Sequence, residues 1–504
     1  MSTRKKNTFI HLAFSYLNYA IAFVNGILIV PFYLSYIDTT TYGAWLATGN
    51  ILTWLTIADP GTSNVTIQRI ARSSAKNNRK IVGYQASSSI ILSFVASMIC
   101  LVCGILVSGY ATSILNLKDA VVINETQKAF RIAMIGVSIA LFEYSIYAIL
   151  QGLQQQFYTG IARISGRLIG IAVSIFLVIK GFGIKSIAIG VLVTNAVSLT
   201  MNLFSLIRSD IQFAWSMRYF RSYIRIFSLT FFSRVSSVLY ENIDLILVSR
   251  FLNPSVVAQL EITRRPMRYL QGFLVAPSQS LMPTLSNYFG NNKPAQARGL
   301  IEKLIIGFFC VFFITGLGFL MFNETLISLW VGKQFYIGNN INTILSLGII
   351  LTMFNYILYN INISLGNISG TSYAGIINSI FGLVLLLTLG YFAGLTGIVI
   401  APLISISICQ TWYYILYINR KVNLSNTLWL SFVKIILFGS VIYYIVQLIS
   451  GVLAQNNSLN YWPLVAQGVI LIGGIFTIYI TSINEFRALL FNDVLKFFGK
   501  RNKP

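Results

Sequence analysis

Long apolar runs recur along the whole chain and are separated by short polar segments. A helix needs about 20 mostly apolar residues to cross the hydrocarbon core of a membrane, and each run is long enough. The pattern therefore predicts an all-α integral membrane protein with about 14 transmembrane helices. The predicted spans cover residues 10–36, 43–67, 83–108, 128–151, 158–180, 185–207, 227–251, 256–286, 302–322, 341–365, 372–392, 395–418, 429–452 and 462–483.

Lysine and arginine residues concentrate in alternate segments between these spans. If the N-terminus is cytoplasmic, the cytoplasmic segments hold most of them, with clusters at 4–6, 69–80, 208–225 and 487–503. Positive charge in short loops marks the cytoplasmic side of a membrane protein. We therefore predict that both termini are cytoplasmic, which requires an even number of spans.

An internal repeat indicates how the spans are grouped. Residues 159–198 share their layout with residues 371–407, and Gly170 matches Gly382. Repeated halves of this kind enclose the substrate site of many transporters. The predicted domains are an N-terminal six-helix lobe over 1–209, a C-terminal six-helix lobe over 210–420, and two additional transmembrane helices with a basic cytoplasmic tail over 421–504. Pairs of small residues, such as Gly166 and Gly170, predict close helix packing.

The composition narrows the classes of function. The chain has 504 residues and a net charge of +23, yet only 10% of its residues are charged. Because the basic residues flank the spans, we predict membrane lipids and no nucleic acid as partners. The single histidine, His11, and the four cysteines form no recognisable metal motif, and the chain lacks the phosphate-binding loop of ATPases. We predict no enzyme activity, no catalytic residue, no metal and no cofactor, with a proton or sodium gradient as the candidate energy source.

Charged residues gather on predicted spans 7 and 8, where each one costs about 2.5–3.5 kcal/mol to insert. On each span these residues share one helical face. Asp244 and Arg264 both lie ten residues from Pro254 at the turn, so we expect them to lie at the same depth and to pair. The candidate cavity residues are Arg234, Glu241 and Asp244 on span 7, Glu261, Arg264, Arg265 and Arg268 on span 8, and Asn25 on span 1.

Two interpretations of these charges remain open. They are either structural ion pairs that hold the hairpin together, or the wall of a hydrated cavity. The excess of arginine favours the second, because the guanidinium group suits bidentate binding of phosphate. Asp59, which precedes Pro60 and Gly61 in span 2, is a candidate for binding a coupling ion, as are Glu241 and Glu261.

Several segments resemble the polysaccharide flippases of the multidrug/oligosaccharidyl-lipid/polysaccharide exporter (MOP) superfamily, over roughly residues 10–420. The resemblance rests on Tyr42–Trp45, Ile57–Thr62 with Gln68–Ala71, Leu150–Gln154, Asn242–Leu247 with Phe251 and Leu252, and Leu329–Gly332. Pro60 is a departure, since it interrupts the turn where the family commonly has Asp-x-Gly.

The resemblance implies a V-shaped pair of six-helix lobes that alternates between inward-open and outward-open states. It implies a bacterial inner-membrane protein that moves an undecaprenyl-pyrophosphate-linked oligosaccharide, an O-antigen unit of lipopolysaccharide or a capsule repeat unit. Spans 1, 2, 7 and 8 line the central cavity in that family. A polysaccharide polymerase or a chain-length regulator is a candidate protein partner.

Two alternatives are weighed against this function. A cation-coupled drug antiporter of the same superfamily would favour an acidic cavity, whereas this one is rich in arginine. A membrane polysaccharide polymerase generally needs a long outer loop with catalytic residues. The outer loops of this chain are short, and only the loop 109–127 offers acidic residues to test, Asp119 and Glu125.

Overall fold

The fold is that of a computed structural model, and every regular secondary-structure element in its described residues is a helix. The described residues are 24–56, 62–75, 78–209, 211–290, 294–426 and 428–437, together with residues 17, 20, 21, 440, 441 and 444. Within these ranges there is no β-strand. The predicted all-helical fold class is confirmed. Predicted span 14, over 462–483, lies outside the described residues.

The helices follow one another with short connections. They are α1 (Val30–Leu34), α2 (Thr39–Leu55), α3 (Thr62–Ala75), α4 (Arg79–Ser108), α5 (Ala111–Ile114), α6 (Ala120–Gly152), α7 (Gln156–Ile179), α8 (Ile184–Ile207), α9 (Met217–Glu241), α10 (Asp244–Phe251), α11 (Pro254–Gly290), α12 (Pro294–Trp330), α13 (Asn339–Ser364), α14 (Ile368–Ile406) and α15 (Trp412–Val422). Two π-helical segments, Val24–Leu28 and Ser407–Thr411, and the 3-10 turn Lys333–Phe335 complete the order.

Seven helical stretches within the described residues are long and apolar enough to cross a membrane. They are α4, α6, α7, α8 and α13, Arg298–Trp330 of α12, and Ser369–Val422. The last one contains predicted spans 11 and 12, which join through a kink at Gly394. There φ is 56°, a left-handed conformation that glycine adopts most readily.

Predicted span 7 is not a continuous helix. Predicted span 2 overlaps α2 and α3, and residues 57–61, with the predicted break at Asp59–Gly61, lie outside the described residues. Span 7 is interrupted between Glu241 and Asp244, where α9 ends and α10 begins. The Asn242 amide donates a hydrogen bond to the Val238 carbonyl oxygen at 2.9 Å. Such local side-chain bonds compete with regular helical bonding, so the polar residues Asn242 and Asp244 account for the break.

Helix α4 is polar on its inner face and apolar on its outer face. Its buried residues include Ser88, Ser93 and Ser97, whereas Ile105 and Leu106 are 57% and 65% exposed. A helix surrounded by water would have the opposite pattern. In a bilayer, small polar residues pack helices together while large apolar residues face lipid. The side-chain pattern of α4 therefore agrees with a transmembrane position.

Glycines bring α7 and α8 into close contact, as the sequence predicts. A Cβ atom added to Gly166 would lie 2.6 Å from the Thr194 carbonyl oxygen, and one added to Gly170 would lie 2.5 Å from that of Gly190. Each glycine therefore allows the backbones of the two helices to approach closely.

The chain forms two compact units, one of residues 1–265 with 390–398 and one of 266–389 with 399–504. A core of the first unit contains Ile70, Ile146, Ile149 and Leu150. A core of the second unit surrounds Phe312, Leu358, Tyr414 and Ile418. The predicted lobe boundaries at residues 209 and 420 remain a prediction.

Candidate functional site

Arg264 is the centre of a charged network within the first unit. Its Nε donates a hydrogen bond to Glu261 Oε2 at 2.7 Å, one turn earlier on α11, and its Nη1 donates to Asp244 Oδ2 on α10. The expected pairing of Asp244 with Arg264 is therefore present. The side chains of Arg264 and Asp244 are only 13% and 19% exposed, so neither charge is well solvated by bulk water.

Asp244 is the first residue of α10, and the break in span 7 puts it there. Its Oδ1 accepts a hydrogen bond from the Leu245 backbone N–H at 2.8 Å and another from Asn50 Nδ2 on α2 at 3.1 Å. The N-terminus of a helix carries partial positive charge, which favours a carboxylate. The interruption at Asn242 therefore creates a favourable place for the Asp244 carboxylate.

Arg265 extends the network towards the first part of the chain. Its Nη1 donates to the Tyr42 hydroxyl oxygen at 3.2 Å and to the Gly26 carbonyl oxygen at 3.3 Å. Its Nε lies 4.0 Å from Glu261 Oε1. The network therefore connects α10 and α11 with α2 and with the π-helical segment Val24–Leu28.

Among the contacts that the structure describes, the charges balance, because the two arginines Arg264 and Arg265 face the two carboxylates Asp244 and Glu261. Glu261 is 6% exposed, so its carboxylate is largely shielded from water. A buried charge is stable only when a nearby opposite charge compensates the loss of hydration. One donor group remains, because Arg264 Nη2 is buried and has no hydrogen-bond partner in the described part of the chain. That edge of the guanidinium is available to an oxygen of a ligand.

The other predicted cavity residues occupy different positions. Glu241 ends α9 and is exposed, and the predicted single face shared by Glu241 and Asp244 is wrong, because the helix breaks between them. Arg268 belongs to the second unit and is exposed, and Asn25 is half-buried in the π-helical segment. Arg234 lies on α9, but its side chain is outside the described residues, as is the whole of Asp59.

Three members of the network were not predicted as site residues: Tyr42, Asn50 and the Gly26 carbonyl. Asn50 could have been suspected, because it is a polar amide within the apolar span 2. Tyr42 lies in one of the segments that carry the family resemblance but shows no charge pattern. A backbone carbonyl that leaves regular helical bonding has no signal in the sequence.

The acidic residues of the loop 109–127, considered for a polymerase, have structural partners. Asp119 Oδ1 accepts a hydrogen bond from the Val121 backbone N–H at 2.8 Å and so caps α6. Glu125 pairs with Lys185 at 3.0 Å. Both carboxylates therefore stabilise helix ends or helix contacts.

Tyr42 is expected to contribute to the network through its hydroxyl group alone. Tyr42→Phe removes one acceptor from Arg265 and keeps the packed ring, so we expect a loss of about 1.5 kcal/mol in the free energy of unfolding. The measurement is thermal unfolding of the purified protein in detergent. Tyr36→Phe is the control, since Tyr36 is 51% exposed and should give no change. Equal effects of the two substitutions would contradict the role given to Tyr42.

Comparisons with known proteins agree with this architecture. The family model described as polysaccharide biosynthesis protein matches residues 5–289. Among solved structures, the lipid II flippase MurJ in an inward closed conformation superposes with a TM-score of 0.68 at 16% identity, covering 94% of this chain and 99% of that one. No curated protein sequence matches significantly.

Two multidrug transporters of the MATE family are also similar. DinF-BH has a TM-score of 0.59 at 16% identity and covers 84% of this chain and 97% of its own. An inward-facing MATE transporter of the MOP superfamily has a TM-score of 0.58 at 15% identity, covering 80% and 94%. At these identities the likeness concerns the fold. Since the family model covers more than half of the sequence, the chain belongs to the polysaccharide biosynthesis protein family.

Proposed function

We propose that the protein is a flippase for an undecaprenyl-pyrophosphate-linked oligosaccharide, an O-antigen or capsule repeat unit, in the bacterial inner membrane. Both termini are cytoplasmic in this proposal, and the two lobes alternate between inward-open and outward-open states. No covalent bond of the substrate changes. The membership in the polysaccharide biosynthesis protein family supports the substrate class, and one of the similar folds is a lipid II flippase.

The observation that carries the proposal is the buried donor edge of Arg264. Ten residues of helix separate Arg264 from Pro254, a distance of about 15 Å at 1.5 Å per residue. This is about half the thickness of the hydrocarbon core. A pyrophosphate whose lipid tail stays in the bilayer must pass this depth. Buried Nη2 donors of Arg264 at this level offer it charge-assisted hydrogen bonds.

The balanced network suits a substrate that must be released again. When a phosphate oxygen reaches Arg264, it competes with Asp244 and Glu261 for the same guanidinium. The two carboxylates already neutralise part of the guanidinium charge, so the complex is less tight than with an unpaired arginine. Protonation of Glu261 would remove its negative charge and weaken its competition with the phosphate for Arg264. Glu261, Asp59 and Glu241 are our candidates for coupling to a proton or sodium gradient.

Cation-coupled drug antiport is the second candidate, because two of the similar folds are multidrug transporters. A cationic drug needs a surplus of negative charge in its cavity. The described network has two carboxylates and two arginines and therefore no such surplus. The unpartnered Nη2 group of Arg264, a hydrogen-bond donor, is what favours an anionic substrate over a cationic drug.

Deletion of the gene tests the proposed function. We expect oligosaccharide linked to undecaprenyl pyrophosphate to accumulate on the cytoplasmic side and the wild-type gene to reverse this. An unchanged level of lipid-linked sugar, together with new sensitivity to cationic drugs, would instead support the drug antiporter.

A substitution at Arg268 distinguishes an effect on the rate of transport from an effect on the stability of the fold. Its side chain is exposed, so any interaction it makes is worth about 1 kcal/mol or less, and Arg268→Ala should lower thermal stability much less than loss of Arg264. If its charge guides the pyrophosphate, the initial rate of flipping should fall about tenfold, as expected for one lost charge-assisted contact. Arg208→Ala is the matched control, since Arg208 is exposed and stacks on Phe204 away from the network. Equal rates for the two variants would remove Arg268 from the substrate path.

A further inference from the structure

Glu143 is a carboxylic acid inside the helices of the first unit, and the function proposed above does not use it. It lies on α6, a helix apolar enough to cross a membrane, and is only 6% exposed. Nine residues separate it from Gly152 at the end of α6, about 14 Å along the helix axis. A charge at this place is costly unless it is compensated.

The surroundings of Glu143 provide no contacting positive charge. The carboxylate forms no ion pair with any residue that the structure describes. Arg163 on α7 is the charged group that acts on it from a distance. The guanidinium of Arg163 lies over the ring of Tyr147, 4.0 Å from its centroid, and its side chain is exposed. The described residues therefore place no cation in contact with the Glu143 carboxyl group.

Other charged residues on the helices packed against α6 form no ion pair with Glu143 in the described part of the chain: Arg167 of α7, Arg72 of α3, and Arg79 and Lys80 of α4. Lys185 on α8 pairs with Glu125 near the opposite end of α6. On α3, Arg69 donates to the Ser222 hydroxyl at 2.8 Å. Helix α4 contributes Ser93, whose hydroxyl donates to Ser145 at 2.7 Å. Helix α2 and the short α5 contain no charged residue.

The partner of Glu143 is Asn202 of α8, which is fully buried. Its Nδ2 lies 2.5 Å from Glu143 Oε1, and its Oδ1 has no hydrogen-bond partner among the described residues. A half-turn of the amide brings Oδ1 opposite the carboxyl group. There it accepts a hydrogen bond from the protonated acid and is no longer unpaired.

We propose that Glu143 and Asn202 form a proton-binding site in the first unit. The carboxyl takes a proton from water on one side of the membrane and returns it on the other, so the carboxylate form is transient. Coupling of this proton to transport rests on the proposed function, whereas proton binding does not. A metal cation is a poor occupant, because hard cations such as Ca²⁺ take about six to eight oxygen ligands. Glu143 and Asn202 supply one carboxylate and one amide oxygen.

Infrared difference spectroscopy of the purified protein during a pH titration tests proton binding without any substrate. We expect the carbonyl band of a protonated carboxylic acid to persist at neutral pH and to disappear on alkalinisation. Glu143→Gln, which resembles the neutral acid in shape, should remove this band. Glu125→Gln should retain it, because Glu125 is a paired carboxylate on the same helix. An unchanged band in Glu143→Gln, or the absence of any such band in the wild type, would overturn the proposal.

Two further arms complete the test. Asn202→Ala, which keeps Glu143, should shift the disappearance of the band to lower pH, so the site remains testable if Glu143→Gln does not fold. Addition of sodium at constant pH should leave the band unchanged, and its loss would show that a metal cation displaces the proton. In vesicles, a pH gradient should accelerate flipping by the wild type and not by Glu143→Gln. A proton band without any flipping would refute the transport function and leave the proton site standing.

Discussion

Replacement of Arg264 by leucine should destabilise the protein more than any other single substitution in the network. The change leaves the carboxylates of Asp244 and Glu261 without the guanidinium that both of them contact. Removal of one partner from a buried ion pair typically costs about 3–5 kcal/mol. We expect thermal unfolding in detergent to occur at a clearly lower temperature. Arg250→Leu is the matched control, since Arg250 is an exposed arginine on the adjacent α10.

A compensated variant separates the structural and the functional roles of Arg264. The triple variant Arg264→Leu, Asp244→Asn, Glu261→Gln removes all three charges at once. Buried ion pairs can often be replaced by neutral residues with little loss of stability. We therefore expect the triple variant to recover most of the thermal stability while flipping stays abolished. If both stability and flipping recovered, the network would be a structural lock only, the first of the two interpretations that the sequence leaves open.

Substitution of Gly43 by alanine should disrupt the contact between α2 and α11. A Cβ atom at Gly43 would overlap the backbone carbonyl oxygen of Pro254. A backbone atom cannot rotate away as a side chain does, so the helices must separate. Overpacking of this kind typically costs about 1–3 kcal/mol. Tyr42, which accepts a hydrogen bond from Arg265, is the neighbouring residue, so we also expect weaker flipping.

Gly49→Ala on the same helix is the control for Gly43. In the part of the chain that the structure describes, no atom beyond the helix's own backbone lies within 4 Å of a Cβ added at Gly49. Alanine is favoured over glycine within a helix by about 0.5–1 kcal/mol, so this variant should be slightly more stable than the wild type. The two substitutions are chemically identical and should act in opposite directions. A loss of stability in Gly49→Ala as large as that in Gly43→Ala would show that helix propensity, and not the contact with Pro254, decides the result.

The helical fold and one ion pair of the candidate site could be predicted from the sequence. Runs of apolar residues predict spans because the thickness of the bilayer sets their length. The pairing of Asp244 with Arg264 followed from their equal separation from Pro254, since helical rise converts residue number into depth. Both predictions use the constant rise per residue of an α-helix, which does not depend on how the helices pack.

The parts that could not be predicted depend on local competition or on contacts between distant segments. The break at Asn242 arises because its side-chain amide donates a hydrogen bond to the Val238 carbonyl oxygen. The pattern of hydrophobic residues does not predict such a bond. Tyr42 joins Arg265 although 223 positions separate them. Glu143 was not singled out because a lone acid in an apolar run gives no indication of which amide it will face.

The most direct test of the account is flipping by the purified protein in vesicles. The protein is reconstituted with undecaprenyl-pyrophosphate-linked oligosaccharide, and the sugar on the outer leaflet is measured with a reagent that does not cross the membrane. We predict that the protected sugar becomes accessible only in vesicles that contain the protein. The Arg264→Leu, Asp244→Asn, Glu261→Gln variant should behave like empty vesicles. If the wild type left the sugar protected but released a cationic dye, the flippase account would be contradicted.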